Sequence, residues 1–174
     1  DRKYILLNSL KKVSDKDLNF YKNLITKRLF RKPIAQLINK KFFWDSEFYI
    51  NNDILIPRPE TETLIEHILC RVPKSFDGKI LDLGIGSGAI LFALCSSLNS
   101  ASGIGIDKSE RALSLARENL LLHDLMDRVE LRQLDWFSEK IELGQVDLIV
   151  SNPPYLILEE WEQAEPEVRV HDPK

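Results

Sequence analysis

The second half of the chain alternates between short apolar runs and longer amphipathic stretches. Four apolar runs have the length and β-branched content of strands: KILDL (79–83), SGIGID (102–107), RVELRQL (128–134) and VDLIVS (146–151). Two of the intervening stretches carry apolar residues at helical spacing: Ile90, Leu91, Leu94 and Leu98 in one, and Leu113, Ala116 and Leu120 in the other. Ser109 is placed to cap the second helix. Strands that alternate with helices form parallel βαβ units, so the pattern predicts an α/β domain with a doubly wound sheet.

The first third of the chain has a different pattern. Residues 1–38 are predicted to be helical, with a capping box at Ser14 and Asp17. The aromatic and β-branched run 42–56 surrounds three turn residues, Asn51, Asn52 and Asp53, which predicts a hairpin that turns there. We therefore expect a remnant of a helical domain (1–41), a β-hairpin connector (42–56) and an incomplete α/β domain (57–174).

Composition is that of a soluble globular protein, with 44% hydrophobic and 29% charged residues. The net charge of −3 favours neither nucleic acid nor an anionic membrane as a partner. Residues 1–41 are rich in Lys and Arg, and we favour a solvated helix face over an RNA contact as the reason. No signal peptide or run of transmembrane length is present, so we expect a cytoplasmic protein, and we expect it to be a monomer.

Metal chemistry is not indicated, because the three histidines lack ligand spacing. Cys70 and Cys95 each lie in an apolar helical pattern, and we expect both to be reduced core thiols.

The segment DLGIGSG follows the first predicted strand of the sheet and places Gly84, Gly86 and Gly88 at alternate positions. Glycine lets the backbone turn tightly and approach a ligand. Asp107 ends the next strand, 23 residues after Gly84, where a carboxylate suits the hydroxyls of a ribose. The G-x-G-x-G spacing, with Asp82 two residues earlier, is more typical of S-adenosylmethionine binding than of dinucleotide binding.

Asp135 and Trp136 follow the third strand. Asp135 is placed to accept a hydrogen bond from the exocyclic amine of an adenine, and Trp136 to flank the ring. A capping aspartate beside a core tryptophan is the alternative interpretation of this pair.

The run Asn152-Pro153-Pro154-Tyr155 follows the fourth strand and predicts a stiff, extended segment. An amide nitrogen is a poor nucleophile because its lone pair is delocalised. The side-chain carbonyl of Asn152 and the backbone carbonyl of Pro153 can each accept one N–H, which aims the lone pair at a methyl donor, while Tyr155 offers a flat face to a planar group. All these segments follow strands, so they fall at the edge where such sheets bind ligands.

Four segments resemble the HemK/PrmC family of methyltransferases: FYINNDILIPRPETETLIE (48–66), ILDLGIGSGAI (80–90), IGIDKSERAL (104–113) and VSNPPYL (150–156). Order and spacing agree from about residue 28 onward, and IPRPETE (56–62) is the most family-specific part. The resemblance implies a Rossmann-like class I methyltransferase fold, with S-adenosyl-L-methionine as cofactor and a class-1 peptide chain release factor as partner. Members of this family methylate N5 of the glutamine in the Gly-Gly-Gln motif of those factors.

The resemblance also implies roles for individual residues. Those implied to contact the cofactor are Gly84, Ile85, Gly86, Ser87, Gly88, Asp107, Asp135, Trp136 and Asn152. Those implied to surround the glutamine are Asn152, Pro153, Pro154 and Tyr155. Ile85 stands where the family commonly has Thr, and we expect little effect because the loop contacts are mostly made by backbone. Pro57, Arg58 and Glu60 are expected near the site, with entry into a helix as the alternative.

Three further interpretations stay open at this point. The chains of the family are longer, so we expect a fragment that is truncated at both ends and lacks the C-terminal strands of the sheet. The acceptor is alternatively an exocyclic amine of a nucleic acid base, because an extruded base presents a similar planar amine. The chain is alternatively an inactive cofactor-binding fragment.

Overall fold

The computed structural model describes residues 2–137, 142–153, 158–163, 165 and 170. Its helices are α1 (Arg2–Leu7), α2 (Asp15–Leu29), α3 (Ile34–Ile38), α4 (Pro59–Leu69), α5 (Ala89–Ser97), α6 (Glu110–Leu122) and α7 (Leu158–Gln163). Its strands are β1 (Lys40–Phe43), β2 (Ser46–Tyr49), β3 (Lys79–Leu83), β4 (Ser102–Asp107), β5 (Val129–Gln133) and β6 (Leu148–Ser151). The alternation of β3, α5, β4, α6 and β5 confirms the predicted α/β class.

Strands β3 to β6 form one parallel sheet in the order β5-β4-β3-β6. The chain moves outward from β3 through β4 to β5 and then crosses back to place β6 on the other side of β3. Loops that leave neighbouring strands in opposite directions open a crevice at the carboxyl ends of those strands. The glycine loop (residues 84–88) leaves β3 at this switch point and leads into α5.

Each face of the sheet has its own core. Alternate residues of a strand point to opposite faces, so Ile80 packs in the larger core with α4, α5 and α6, while Leu81 packs in a smaller one. Gly103 and Gly105 lie on the side of α5, where a Cβ on Gly105 would come within 2.0 Å of the side chain of Ile85. These glycines let α5 and the glycine loop pack closely on β4.

The hairpin lies earlier in the chain than predicted. Phe43 pairs with Ser46, so the turn falls at Trp44-Asp45 and not at Asn51–Asp53. Trp44 has a φ of 57°, a left-handed conformation that large residues seldom adopt. Because tryptophan is not a typical turn residue, the sequence does not single out this position as the turn. Asn51 and Asp53 instead form a local turn before α4, in which the backbone N–H of Asp53 donates to the side-chain oxygen of Asn51 at 2.9 Å.

The N-terminal segment forms three helices with interruptions rather than continuous helix. The predicted cap of α2 is confirmed, since the Ser14 hydroxyl accepts from the backbone N–H of Asp17 at 3.1 Å. No residue of α1 or α2 is buried. In the described ranges, no helix is both long and apolar enough to cross a membrane.

The two cysteines differ in their surroundings. Cys95 is buried in α5, as predicted, but Cys70 is exposed at the C-cap of α4, so the prediction of a core thiol is wrong there. Cys70 follows the last turn of the helix and falls off the buried face that Ile65 occupies.

Candidate active site

The glycine loop is tied to the end of the neighbouring strand β4. The backbone N–H groups of Gly84 and Ile85 both donate to the carbonyl of Ile106, at 2.9 and 3.0 Å. The N–H of Gly86 donates to the Asp107 carboxylate at 3.1 Å. Two segments that the sequence places 21 residues apart therefore form one rigid unit at the carboxyl edge of the sheet.

All three glycines of the loop adopt left-handed backbone, with φ of 78° at Gly84, 55° at Gly86 and 86° at Gly88. A Cβ at Gly86 would meet no described atom within 4 Å, and one at Gly84 would meet only the ring of Trp136. The alternate spacing is thus a backbone requirement. It leaves bare main chain at Gly86 facing open space, where a ligand can approach it closely.

The two intervening side chains face inward. Ile85 is 5% exposed and Ser87 is 4% exposed. Only the backbone of these two residues is left to line the crevice. The expectation that Ile85 in place of Thr has little effect stays a prediction.

Asp107 is held at both carboxylate oxygens. One accepts from Gly86 and the other from the backbone N–H of Ser109 at 2.9 Å. Each carboxylate oxygen can accept a further hydrogen bond. The group is therefore fixed in direction while retaining capacity to accept from hydroxyl groups of a ligand.

Asp82 is a buried acid directly before the glycine loop. It is 1% exposed, and neither carboxylate oxygen has a partner in good hydrogen-bond geometry among the described residues, although the backbone N–H of Leu91 lies near it. Burial raises the pKa of Asp82 to about 7; the backbone N–H of Leu91 opposes this rise, and the charge of Asp107 adds to it. A cation bound at the loop would favour the ionised form of Asp82.

Trp136 borders the glycine loop on the side of β5. Its ring lies over Gly84, is tilted against Phe137 at 5.5 Å between centroids, and packs against the smaller core. The Asp135 carboxylate accepts from the backbone N–H of Phe137 at 3.0 Å, which fixes this turn. The contacts expected between this pair and an adenine stay predictions.

Asn152 directly follows β6, which pairs with β3, the strand that leads into the glycine loop. The hydroxyl of Ser151 donates to the carbonyl of Leu83 at 2.8 Å, which joins the two strand ends. The side-chain amide of Asn152 donates to the Thr61 hydroxyl at 3.3 Å. Pro153 is the last described residue of this segment, and the predicted site residues Pro154 and Tyr155 lie outside the described residues.

The family model "Methyltransferase small domain" matches residues 59–164, which hold the glycine loop, Asp107 and Asn152. The chain belongs to this methyltransferase family.

Relatives and solved structures resemble the chain over different lengths. It is 37% identical over 173 residues to the release factor glutamine methyltransferase of Caulobacter vibrioides, covering 99% of this chain and 60% of that protein. It is 42% identical over 156 residues to the protein of the same name from Buchnera aphidicola subsp. Schizaphis graminum, covering 90% and 55%. The solved S-adenosylmethionine-dependent methyltransferase SibL covers 53% of this chain and 27% of its own, with a TM-score of 0.47 and 22% identity. The chain thus spans little more than half the length of these two curated relatives.

The segment IPRPETE (56–62) connects the hairpin to α4, which lies beside the site. α4 begins at Pro59, and Arg58 is its N-cap in extended backbone, as the helix-entry alternative predicts. The Glu62 carboxylate accepts from the backbone N–H of Trp44 at 2.9 Å, which holds the first turn of α4 against the hairpin. Glu60 is exposed and makes no described contact with the site.

Two residues near the site were not predicted. Thr61 cannot be recognised as a site residue from the sequence, because a threonine in the first turn of a helix is common. Asn119 is fully buried; its amide donates to the carbonyls of Ser87 at 2.9 Å and Tyr49 at 3.1 Å, and its oxygen accepts from the N–H of Tyr49 at 2.7 Å. The sequence does indicate that Asn119 is buried, because it follows Ala116 at helical spacing on an otherwise apolar face.

Proposed function

We propose that this chain is the catalytic part of an S-adenosyl-L-methionine-dependent methyltransferase that modifies N5 of the glutamine in the Gly-Gly-Gln motif of class-1 release factors. The observation that carries the proposal is the position of Asn152, which follows the strand beside the glycine loop. The names of the two relatives support the choice of acceptor. The proposal further includes action as a cytoplasmic monomer without direct nucleic acid binding; the net charge of −3 supports the last of these points.

The residues at the carboxyl edge of the sheet fit this cofactor. We propose that the glycine loop lies against its methionine part, that Asp107 accepts from the ribose hydroxyls, and that Asp135 and Trp136 lie beside the adenine. When bound, the cofactor supplies an electrophilic methyl group on a sulfonium. The open backbone at Gly86 leaves room for a ligand to approach the loop closely, and the buried carboxyl of Asp82 directly before the loop suits a ligand with positive charge.

The acceptor amide needs positioning more than acid–base chemistry. The oxygen of the Asn152 side chain and the carbonyl of Pro153 each accept one N–H of the glutamine amide, which reduces delocalisation of the nitrogen lone pair and directs it towards the methyl group. Tyr155 is proposed to offer its ring to the flat amide, with Pro154 holding the segment extended.

Transfer of labelled methyl from S-adenosyl-L-methionine tests the proposal. The full-length protein is offered a class-1 release factor and its Gly-Gly-Gln→Gly-Gly-Ala variant in parallel. We expect label on the first and none on the second. Equal labelling of both would place the modification on another residue. Labelling of DNA or RNA with neither factor labelled would favour an exocyclic amine of a base as acceptor.

A further inference from the structure

We propose that Thr61 is a positioning residue that holds the side-chain amide of Asn152 in place, with its oxygen directed towards the substrate. The inference rests on the proposed function, in which the Asn152 oxygen accepts an N–H of the substrate. Its structural basis is the hydrogen bond from Nδ2 of Asn152 to Oγ1 of Thr61 at 3.3 Å, between residues 91 positions apart.

Thr61 is carried by a well-anchored element. Its backbone N–H donates to the carbonyl of Arg58 at 3.0 Å in the first turn of α4. The next residue, Glu62, binds the backbone of Trp44 in the hairpin turn, and Ile65 one turn later is fully buried. Asn152, by contrast, begins a segment that leaves the sheet after β6. The hydrogen bond therefore fixes a side chain directly after the end of a strand to a helix whose position is set by the core.

The chemistry of an amide explains why such a partner matters. The oxygen and the NH₂ group of asparagine have nearly the same size, so packing distinguishes the two orientations weakly. A threonine hydroxyl can accept from the NH₂ or donate to the oxygen, so it fixes the plane of the amide, and the N–H of the substrate then requires the orientation in which Oδ1 faces the substrate. With Nδ2 donating to Thr61, Oδ1 is turned away from α4 and is available to accept. In the reversed orientation the NH₂ of Asn152 would meet the N–H of the substrate, donor against donor. That orientation cannot aim the acceptor lone pair.

The test compares three variants of the full-length protein: Thr61→Val, Thr61→Ser and Thr63→Val. Valine matches the shape of threonine and removes the hydroxyl, while serine restores it. Thr63 is exposed on the same helix, two residues away, and makes the same change without contact to Asn152. The measurements are kcat and KM for the release factor, cofactor affinity and the midpoint of thermal unfolding.

We expect Thr61→Val to lower kcat about fivefold to twentyfold, which corresponds to about 1 to 2 kcal/mol at 1.36 kcal/mol per tenfold. Cofactor affinity should stay within about twofold, because Thr61 acts on the acceptor side of the site. Thr61→Ser should recover most of kcat, and Thr63→Val should match the parent. A kcat for Thr61→Val at or above that of the parent would overturn the proposal, as would a loss that serine does not rescue or that follows cofactor affinity.

A second measurement does not depend on activity. In isotope-labelled protein, the NH₂ resonances of Asn152, assigned by their loss in Asn152→Asp, should move in Thr61→Val and stay in place in Thr63→Val. Unmoved resonances in Thr61→Val would refute the hydrogen bond. If the parent protein methylates a different acceptor, the proposed function fails, and the same comparison of kcat on that acceptor still decides the role of Thr61.

Discussion

The buried carboxyl of Asp82 makes the stability of this protein depend on pH in a defined direction. Because burial raises the pKa of Asp82 from 3.8 to about 7, the folded state holds a proton that the unfolded state releases between these two values. The unfolded state then binds fewer protons, so the free energy of unfolding falls as pH rises through this window. The contribution of Asp82 to stability is fully present below about pH 4 and is lost as pH rises to about 7.

Replacing Asp82 by Asn removes the ionisation while keeping the shape of the side chain. Between pH 5 and pH 7 the raised pKa of Asp82 lowers the free energy of unfolding of the parent by about 3 kcal/mol, at 1.36 kcal/mol for each pH unit. Asn does not ionise, so the variant lacks this loss. The stability of Asp82→Asn relative to the parent should therefore improve by about 3 kcal/mol between pH 5 and pH 8. A constant offset from burying the new amide does not affect this difference.

Urea unfolding of the full-length protein at pH 5, 6, 7 and 8 measures the effect, with Asp127→Asn as a control. Asp127 is exposed, so this variant makes the same Asp-to-Asn replacement without altering the core. If the free energies of unfolding of Asp82→Asn and the parent fall in parallel across the range, the ionisation of Asp82 is not coupled to folding and the argument fails.

Three further substitutions test the site and its support. Asn152→Ala should abolish methyl transfer while leaving cofactor binding, followed by calorimetry, within about tenfold, because its amide acts on the acceptor; equal loss of both would contradict that role. Asp107→Ala should weaken cofactor binding by about 1–3 kcal/mol, and an unchanged dissociation constant would remove it from the ribose. Asn119→Ala should lower the free energy of unfolding by about 2–4 kcal/mol, since it leaves buried backbone groups of Ser87 and Tyr49 unpaired. Asn23→Ala, on an exposed face of α2, is its control in the same urea titration, and a similar small effect of both would show that the buried contacts of Asn119 contribute little.

Much of the α/β unit was predictable because it depends on local patterns. Strands β3 and β4 begin and end where the apolar runs do, and Ser109 caps α6 by accepting from the N–H of Ala112. The two edge strands are slightly shorter than predicted: β5 spans Val129–Gln133 and β6 spans Leu148–Ser151. The hairpin turn was misplaced because turn preferences favour Asn and Asp, whereas the backbone turns at Trp44.

The sequence by itself determined the class of fold and the backbone conformation of the glycine loop. Periodicity reports which side chains are buried, and the alternate glycines report a backbone that only glycine adopts without strain, so both can be recognised within a few residues. Tertiary structure alone decided which segments meet: β6 beside β3, Asn119 bridging Tyr49 and Ser87, and Thr61 against Asn152. These contacts join residues distant in sequence, and their geometry follows from how the helices pack on the sheet, which no local pattern encodes.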